Sequence, residues 1–370
     1  MRIAMLISTP FPPEEGIGNH VYNVSKKLIE RGYEVTVMTR GSLKTTQIHT
    51  LDGIRVIKVP YIPIYPFHVN IHGFFVNRLF KSLENEFDIV HIHTPLTPVI
   101  KTDLPILVTF HSPMIIGTKY MELIDLKSWA AKIMAHLVSY TLELKLIKRA
   151  NIMTAVSNHV AYELERYYNV SHDMIRVIGN GVDEKKFVPS KHRNENYILY
   201  VGRLSHGKGL LDLIECARNV CKHYKDVSFY LVGKGDLENM LKEKVKSYGL
   251  QGRIFFLGHI KHEKLIQLYQ NAILLVIPSY YESGPLVLLE AMSCGIPVVS
   301  TPVGIAPEII KNNENGILIP HKKMAEAISV LIEDGKLRRK LGNNARKTIE
   351  RKYTWNSVTD RVEECYKSCT

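Results

Sequence analysis

The sequence predicts an α/β protein made of two domains, each built on a doubly wound parallel sheet. Its 370 residues exceed what one ordinary hydrophobic core contains and suit two domains of common size. Short apolar runs rich in β-branched residues alternate with longer amphipathic runs, which is typical of a parallel sheet with helices on both faces. The alternation begins again in the second half of the chain. We therefore expect two similar domains that face a cleft.

Seven strands are predicted in the first half of the chain. They are RIAMLIST, EVTVMTR, IRVIKVP, DIVHIHT, ILVTFH, IMTAVS and IRVIGNGV. Helical patterns lie between several of them, and the clearest is HVYNVSKKLIERG. That stretch ends at Gly32, and glycine is common immediately after the last turn of a helix.

Six further strands are predicted in the second half, each followed by a helix-like stretch. They are YILYVGR, VSFYLVGKG, RIFFLGH, ILLVIPS, PVVST and GILIP. The polar, proline-containing run VPSKHRNEN (188–196) separates the two series and is the best candidate for a linker. We place the first domain at residues 1–188 and the second at residues 189–353. Ligands of such sheets bind at the carboxyl ends of the strands, where the glycines and unusual polar residues of this chain concentrate.

Composition indicates a folded globular chain in a reducing compartment, so we expect a cytoplasmic protein. The hydrophobic share is 45% and the charged share 23%, which is not the composition of a disordered chain. No apolar run reaches the roughly 18 residues of a membrane span. The start MRIAMLIST is predicted to be a first strand, since no cleavage site of a signal peptide follows it. Five cysteines without a CxxC pair argue against a disulfide framework.

The net charge limits the expected partners. Basic residues exceed acidic residues by 48 − 36 = 12. This excess suits a polyanionic ligand such as a nucleotide diphosphate, or an anionic membrane surface, although a solvated lysine-rich surface would give the same count. No basic stripe is interleaved with aromatic residues, so nucleic acid is not an expected partner. The apolar segment 113–149 is predicted either as a large helix packed on the first domain or as an amphipathic surface that meets a membrane or a lipid acceptor.

The stretch YYESGPLVLLEAMSCGIPVVSTPVG places two glutamates, Glu282 and Glu290, around a candidate ligand site. Pro285 is predicted to be the first residue of a helix, a position that proline favours. The amides of Leu286 and Val287 would then lie at the helix N-terminus, which attracts anions. Carboxylates accept hydrogen bonds from vicinal hydroxyls, so the arrangement suits a ligand with sugar hydroxyls on both sides of a diphosphate. Two glutamates on a solvated helix face are the alternative.

The Glu-x7-Glu spacing followed by EAMSCGIPVVST resembles the retaining glycosyltransferases of family 4, also called glycosyl transferases group 1. The likeness covers nearly the whole chain. The matching stretches, in family order, are GIGNHVYNVSKKLIERGYEVTV, DIVHIHTP, VTFH, AVSN, GNGVD, VGRLSHGKG, LVGKG, FLGHI, PSYYES and APEIIKNNENGIL. The resemblance implies the GT-B fold of two facing Rossmann-like domains, with residues 354–370 as a final helix that crosses back to the first domain.

The same resemblance implies an enzyme that moves a hexose or N-acetylhexosamine from a UDP- or GDP-linked donor to an acceptor hydroxyl, with retention. It implies no metal and no other cofactor. Because no membrane span is expected, a lipid-linked acceptor would be reached by peripheral contact with the membrane. A sugar acceptor free in solution is the other expectation.

Functional residues follow from the resemblance position by position. Glu282 would bind hydroxyls of the donor sugar and Glu290 those of the ribose. Arg203 and Lys208 would neutralise the diphosphate as it leaves, and His111 would lie beside the donor sugar. The expected catalytic set is thus His111, Arg203, Lys208 and Glu282. The expected donor-binding set adds Glu290, Gly16, Gly18, Gly202, Gly258, Ile260, Gly284, Leu286 and Val287.

Two departures from the family pattern affect the phosphate contacts. Many relatives read Glu-x-Phe-Gly where this chain has Glu282-Ser283-Gly284-Pro285. Proline has no N–H, so one phosphate donor is absent and the amides that follow it must serve instead. Glu15-Gly16-Ile17-Gly18 replaces the paired glycines common in relatives, which leaves the contacts of the first loop less closely determined. Donor preference is therefore open, whereas the reaction class is not affected.

Three other functions are weaker alternatives. A nucleotide-sugar epimerase on the same fold would need an acid/base pair in the cleft and no acceptor. An NAD(P)-dependent oxidoreductase is disfavoured because GIGNHV lacks a third glycine and the second strand ends in Thr39-Arg40 rather than an acidic residue. A non-catalytic binding protein is disfavoured by the intact charged residues of the donor site.

The strand histidines His91 and His93 are the nearest approach to a metal motif. They alternate along one strand and could share a face, as metal ligands do. No third ligand with suitable spacing follows them in the sequence. We therefore expect them to be structural or to line the acceptor site, and we expect no metal.

Overall fold

The computed structural model divides the chain into two compact units. Unit 1 comprises Met1–Asn180 and Trp355–Thr370, and unit 2 comprises Gly181–Thr354. The residues that the structure describes are 1–13, 16–43, 45–64, 67–119, 126–190 and 197–369, with the backbone only at 117–119, 126–128, 130 and 131.

Unit 1 contains an eight-stranded sheet in the order β3-β4-β2-β1-β5-β6-β7-β8. The strands are β1 (Arg2–Leu6), β2 (Glu34–Arg40), β3 (Gln47–Leu51), β4 (Ile54–Val59), β5 (Ile89–Thr94), β6 (Ile106–Phe110), β7 (Ile152–Ala155) and β8 (Ile175–Val177). All seven predicted strands are confirmed, and they pair in parallel. The strand order changes direction between β1 and β5, so the loops that leave these two strands diverge and leave a crevice at the carboxyl edge.

Strand β3 was not predicted from the sequence. It pairs with β4 in the antiparallel direction through a two-residue turn at Asp52-Gly53. Both turn residues have positive φ angles, 48° and 82°, as the common hairpin turns require. The Asp-Gly dipeptide was the available signal, but QIHTL is mostly exposed and lacks the apolar run that identified the other strands.

Among its described residues, unit 1 contains six α-helices. They are α1 (Gly16–Glu30), α2 (His68–Leu83), α3 (Met114–Lys119), α4 (Leu126–Arg149), α5 (Asn158–Tyr168) and α13 (Trp355–Cys369). The chain leaves α1 through Gly32, whose φ of 84° confirms the predicted helix end. The segment 113–149 contains two helices, α3 and α4, instead of one, and its residues 120–125 lie outside the described part of the chain. No helix among the described residues has the length and apolar character needed to cross a bilayer.

Helix α13 is bound to the rest of unit 1 by buried and charged contacts. Arg31 and Tyr33, which follow α1, bond the Glu363 carboxylate at 2.7 and 2.6 Å. The buried Tyr366 hydroxyl lies 2.7 Å from Nδ1 of His91 on β5. These bonds attach α13 to the central strand β5 and to the turn that follows α1.

Unit 2 contains a six-stranded parallel sheet in the order β11-β10-β9-β12-β13-β14. The strands are β9 (Tyr197–Val201), β10 (Ser228–Val232), β11 (Ile254–Gly258), β12 (Leu274–Ile277), β13 (Val298–Ser300) and β14 (Ile317–Leu318). All six agree with the predicted apolar runs. The strand order reverses between β9 and β12, which places a ligand crevice at their carboxyl ends.

Helices lie on both faces of the unit 2 sheet. They are α6 (Leu210–His223), α7 (Glu238–Ser247), α8 (His262–Asn271), α9 (Leu286–Ser293), α10 (Ala306–Ile309), α11 (Met324–Glu333) and α12 (Gly335–Lys352). Two hydrophobic clusters fill the space between helices and sheet. One includes Leu213 and Leu231, and the other includes Leu289 and Val298, all at most 1% exposed. The sheet is therefore a rigid platform for the loops at its carboxyl edge.

The two units divide at Asn180/Gly181, eight residues before the division predicted after residue 188 (188 − 180 = 8). The intervening residues pack in unit 2 because Val182 and Phe187 are buried in the cluster around Leu289. The guanidinium of Arg346 also donates to the carbonyl of Phe187 at 2.7 Å. Residues 191–196 of the predicted linker lie outside the described residues.

Candidate active site

Two loops meet at the crevice of unit 2, one leaving β9 and the other leaving β12. The amide of Tyr280 donates to the carbonyl of Gly207 at 3.0 Å and joins them. Gly209 has a φ of 65°, and a Cβ there would lie 1.8 Å from the Pro278 carbonyl oxygen. Only glycine permits this approach. Lys208 on the first loop is thereby brought beside the carboxylate of Glu282 on the second.

Lys208 and Glu282 form the centre of this site. The Lys208 ammonium donates to Glu282 Oε1 at 2.7 Å, and the Ser279 hydroxyl donates to the same oxygen at 2.8 Å. The side chains are 27% and 13% exposed, so the pair is held yet open to a ligand. Gly304 passes so close to the Glu282 backbone that a Cβ would lie 2.4 Å from the Glu282 carbonyl oxygen. Arg203 is exposed and has no ion pair with another described residue.

The N-terminus of α9 adds backbone donors to this edge. Pro285 is the residue before the helix, with φ −67° and ψ 117°, and not its first residue as predicted. Its ψ lies in the extended region, so the helix begins at Leu286. The Pro285 carbonyl accepts from the Leu288 amide at 3.2 Å. Leu286 and Val287 are the first two helical residues, so their amides have no intrahelical acceptor.

Glu290 lies deeper on α9 and is 5% exposed. Its Oε1 is 2.7 Å from Nε2 of His262, and its Oε2 accepts from the Tyr269 hydroxyl at 2.8 Å. The hydrogen bond to Glu290 raises the pKa of His262, and burial opposes that effect. Each carboxylate oxygen keeps a second lone pair, so Glu290 is oriented and can still accept from a ribose hydroxyl. Sequence reasoning missed His262 and Tyr269, whose only signal was their place at the start and end of an amphipathic run.

The remaining predicted donor residues of unit 2 lie at the same carboxyl edge. Gly258 ends β11 with a φ of 65°, and its carbonyl accepts from the Gly233 amide at 2.8 Å. Ile260 follows and packs against the hydrophobic cluster that includes Leu289. Unit 2 thus places ten predicted residues at the end of β11 or in the loops and helix that follow β9, β11 and β12. They are Gly202, Arg203, Lys208, Gly258, Ile260, Glu282, Gly284, Leu286, Val287 and Glu290.

Unit 1 holds the other three predicted residues, Gly16, Gly18 and His111. Gly16 begins α1, and Gly18 is packed so closely that a Cβ would lie 2.9 Å from Cβ of Pro13. Close packing within unit 1 is thus one reason for glycine at position 18. His111 follows the last residue of β6 and is 6% exposed. Their predicted contacts with a donor stay predictions.

His111 belongs to a buried cluster of imidazoles in unit 1. Its Nε2 lies 3.2 Å from Nδ1 of His93 on β5, and its ring lies 4.9 Å from that of His20 on α1. His20 Nδ1 is 2.9 Å from the Asn180 amide oxygen. Both ring nitrogens of His91 are hydrogen-bonded, one to the Tyr366 hydroxyl and the other to the Thr109 hydroxyl, at 2.7 Å each. Nε2 of His20 and Nε2 of His93 have no hydrogen-bond partner among the described residues.

Three of these histidines could supply ligands to a metal ion. One nitrogen from each of His20, His93 and His111 lies within 4.8 Å of the other two. A tetrahedral zinc ion, with bonds of about 2.0–2.1 Å, would need these nitrogens closer together, at about 3.3 Å. Sequence spacing missed this set because its members come from three separate elements that only the sheet topology brings together.

The imidazole cluster predicts a loss of stability in acid. Burial lowers the pKa of His20 from 6.5 to about 4 and holds the pKa values of His91, His93 and His111 well below 6.5. At a pH between the lowered pKa values of the folded state and the ordinary value of 6.5, the unfolded chain binds more protons than the folded chain. The contribution of these histidines to the free energy of unfolding is therefore present above pH 6.5 and is lost as pH decreases. For His20 the difference of about 2.5 units corresponds to about 3 kcal/mol.

The free energy of unfolding, measured by denaturant titration across this pH range, tests the expectation. His20→Gln removes one of the four buried groups, so its stability should fall less between pH 6.5 and pH 4 than that of the parent. His223→Gln changes an exposed histidine and is the matched control. Equal pH dependence in His20→Gln and the parent would contradict the assignment.

Comparison with known proteins identifies the family. Residues 15–186 match the family described as Glycosyltransferase Family 4, and residues 181–348 match Glycosyl transferases group 1. The chain is 28% identical to an uncharacterised glycosyltransferase of Methanocaldococcus jannaschii, over 99% of this chain and 98% of that protein. Its fold matches a sucrose-phosphate synthase from Thermosynechococcus elongatus with a TM-score of 0.84, 23% identity and coverage of 99% and 98%.

A second solved structure, HepE of Anabaena in complex with UDP and glucose, matches with a TM-score of 0.77, 18% identity and full coverage of both chains. The predicted fold is thereby confirmed. The two family matches meet near the division between the units and together span residues 15–348. The chain belongs to the family 4 glycosyltransferases, enzymes of the glycosyl transferases group 1 with the GT-B fold.

Proposed function

We propose that the protein is a retaining glycosyltransferase that uses a nucleotide-diphosphate sugar. It transfers a hexose or N-acetylhexosamine from a UDP- or GDP-linked donor to an acceptor hydroxyl in glycoconjugate synthesis. The observation that carries the proposal is the Lys208–Glu282 pair at 2.7 Å, with Arg203 on the same loop as Lys208 and the start of α9 four residues after Glu282. Cations suit the diphosphate, and the carboxylate suits the hydroxyls of the sugar.

The charges of the site favour departure of the nucleoside diphosphate. Negative charge accumulates on the phosphate oxygen as its bond to the anomeric carbon breaks, and preorganised cations and amides stabilise such charge efficiently. Arg203, Lys208 and the amides of Leu286 and Val287 supply these groups. The acceptor oxygen then bonds to the anomeric carbon from the face that the phosphate leaves. The proton of the acceptor hydroxyl passes to the departing phosphate oxygen, so the site needs no separate base.

Glu282 is not suited to be a nucleophile in this reaction. Its Oε1 accepts from both Lys208 and Ser279, which lowers the availability of its electron pairs. A carboxylate held in this way orients a sugar by accepting hydrogen bonds. Retention by attack on the face of the leaving group is therefore favoured over a covalent intermediate on Glu282.

We propose further that transfer needs no metal. Two cations beside the diphosphate, Arg203 and Lys208, take the part that a divalent ion plays in other enzymes. A chelator should therefore leave the transfer rate unchanged, and added Mg²⁺ or Mn²⁺ should not increase it. If a chelator lowers the transfer rate and one added metal ion restores it, this proposal is contradicted. His20, His93 and His111 would then be the candidate metal ligands.

A donor screen tests the proposed reaction. UDP- and GDP-linked sugars are incubated with the protein, and release of the nucleoside diphosphate is measured. One donor should be hydrolysed slowly, and the anomeric configuration of the released sugar, read by NMR before its anomers equilibrate, should equal that of the donor. Inversion would reject retention. Conversion of the donor into its epimer without release of nucleotide would instead support the epimerase alternative.

We also propose that the acceptor is lipid-linked and that the protein, in the cytoplasm, meets it at the inner membrane surface. Two observations support this. The chain carries 12 more basic than acidic residues. Helix α4 also exposes Trp129, Ile133 and Leu137, which are 52%, 39% and 54% exposed. Apolar side chains beside cations are typical of helices that lie in a membrane interface.

A further inference from the structure

A groove of about 1290 Å³ lies on unit 1, between helices α2 and α4. The segment 98–103, which leads from β5 to β6, closes its third side. Its volume exceeds the roughly 300–1000 Å³ of sites for small ligands. No residue of the donor site described in unit 2 contributes to it. The groove is therefore a separate feature of the molecule that transfer chemistry does not explain.

The floor of the groove is apolar. Val69 and Leu142 are 2% and 7% exposed and pack with Val99 in one small hydrophobic cluster. Val138 adds to the floor, and Phe74 stands at its edge, 63% exposed. An exposed phenylalanine beside an apolar floor favours a ligand with a hydrocarbon portion.

The rim of the groove is strongly basic. Six cations line it, against the two acidic residues Glu84 and Asp103. They are Arg78, Lys81, Lys101, Lys145, Lys148 and Arg149. Glu84 already accepts from the Thr102 hydroxyl. All six cations are exposed, and none forms an ion pair with another described side chain. Arg149 also donates to the carbonyl of Ile100 at 2.9 Å, but that bond leaves its charge unneutralised. Like charges gathered without acidic partners favour an anion at the same place.

One exposed face of helix α4 extends the groove, and this face has an apolar part and a basic part. Trp129, Ile133 and Leu137 are exposed at intervals of four residues, so they share one face of the helix. The same interval leads to Thr141 and Lys145 on the rim. The face is apolar towards the start of α4 and basic towards its end. At 1.5 Å per residue the two ends of this face are roughly 24 Å apart, about the length scale of one bilayer leaflet with its headgroups.

We propose that this groove binds an anionic phospholipid of the membrane. The phosphate of the lipid lies among the rim cations, an acyl chain lies along the floor of Val69, Val138 and Leu142, and Trp129 enters the bilayer interface. The proposal deepens the membrane contact proposed above, because it assigns that contact to one groove and one class of lipid. An acidic protein partner would match the rim cations but would leave the apolar floor without a counterpart.

Vesicle sedimentation tests the groove. The full chain is mixed with vesicles of phosphatidylcholine alone or of phosphatidylcholine with phosphatidylglycerol. Binding should occur with the anionic vesicles and weaken as salt rises. The triple variant Lys81→Gln, Lys101→Gln, Lys145→Gln should bind roughly 100-fold more weakly, since each well-placed cation contributes about fivefold. The triple Lys322→Gln, Lys336→Gln, Lys347→Gln removes the same charge from exposed positions of unit 2 and should bind like the parent.

Brominated acyl chains provide a second measurement. They quench tryptophans that enter the bilayer, and Trp129 is exposed whereas Trp355 is 5% exposed. Quenching should occur in the parent and disappear in Trp129→Phe. Equal loss of binding in both triple variants, or no binding to anionic vesicles, would overturn the proposal. Hydrolysis of a water-soluble donor should be the same in all these variants, so a failure of the groove is distinguishable from a failure of the proposed reaction.

Discussion

Replacing Arg203 or Lys208 with alanine is expected to lower the rate of sugar transfer by roughly two to three decades. Each cation lies beside the proposed position of the diphosphate, where negative charge accumulates in the transition state. Removal of one preorganised group of this kind costs about 2.7–4 kcal/mol of transition-state stabilisation. The same cation also binds the donor in its ground state, so KM should rise. Because the charge on the phosphate is greater in the transition state, kcat should fall more than KM rises.

The two variants should differ in their effect on the folded protein. Arg203 is exposed and without an ion pair among the described residues, so Arg203→Ala should leave the melting temperature unchanged. Lys208→Ala removes the charged partner of Glu282, which is 13% exposed, and should lower the melting temperature slightly. Lys208→Arg keeps the charge and should recover part of the rate. These differences separate loss of charge from loss of structure.

Initial rates with the whole donor, together with thermal unfolding, provide the measurement. Arg339→Ala and Lys336→Ala remove one exposed cation each from α12 and are matched controls for net charge. If the Arg203 and Lys208 variants transfer sugar as fast as these controls, the diphosphate does not bind where we propose. The site would then have to be sought outside the crevice between β9 and β12.

The fold could be predicted largely from hydrophobic pattern because buried parallel strands are continuous apolar runs. The first strand β1 and the central strand β12 are each more than 95% buried along most of their length, and both were evident in the sequence. Exposed β3 had no such run. The division between the units was misplaced because polarity marked residues 188–196, whereas Phe187 is buried in unit 2. Burial, and not polarity, determines to which unit a residue belongs.

The placement of Glu282 and Glu290 near each other was predictable because they lie on one loop and the helix that follows it, and their contacts with a ligand stay predictions. The residues that support these two carboxylates were not predictable. Ser279 orients Glu282, and His262 and Tyr269 orient Glu290, from positions whose significance depends on the register of neighbouring elements. A serine after a strand or a tyrosine in a helix is common, so neither residue type carries a signal by itself. Only the three-dimensional arrangement shows that these side chains contact the two carboxylates.

The two glutamates should separate nucleotide affinity from sugar transfer. Glu290→Gln is expected to weaken binding of the nucleoside diphosphate alone by roughly 10- to 100-fold, because hydrogen bonds to a charged group contribute about 1.5–3 kcal/mol. The fold should tolerate the change, since the Tyr269 hydroxyl and the neutral His262 ring can each either donate or accept. Tyr269→Phe removes one orienting bond but keeps the carboxylate, so its effect on affinity should be smaller.

Glu282→Gln should act on transfer instead. The nucleoside diphosphate lacks the donor sugar that Glu282 is proposed to hold, so its affinity should stay within a few-fold of the parent or increase slightly. An increase is expected because Lys208 loses its charged partner at 2.7 Å and becomes more available to phosphate. Calorimetric titration with UDP and GDP gives the affinity, and initial rates with the whole donor give transfer. Weakening of diphosphate binding to the same extent in Glu282→Gln and Glu290→Gln would contradict the division, since it would mean that both carboxylates serve the nucleotide and that the sugar is held elsewhere.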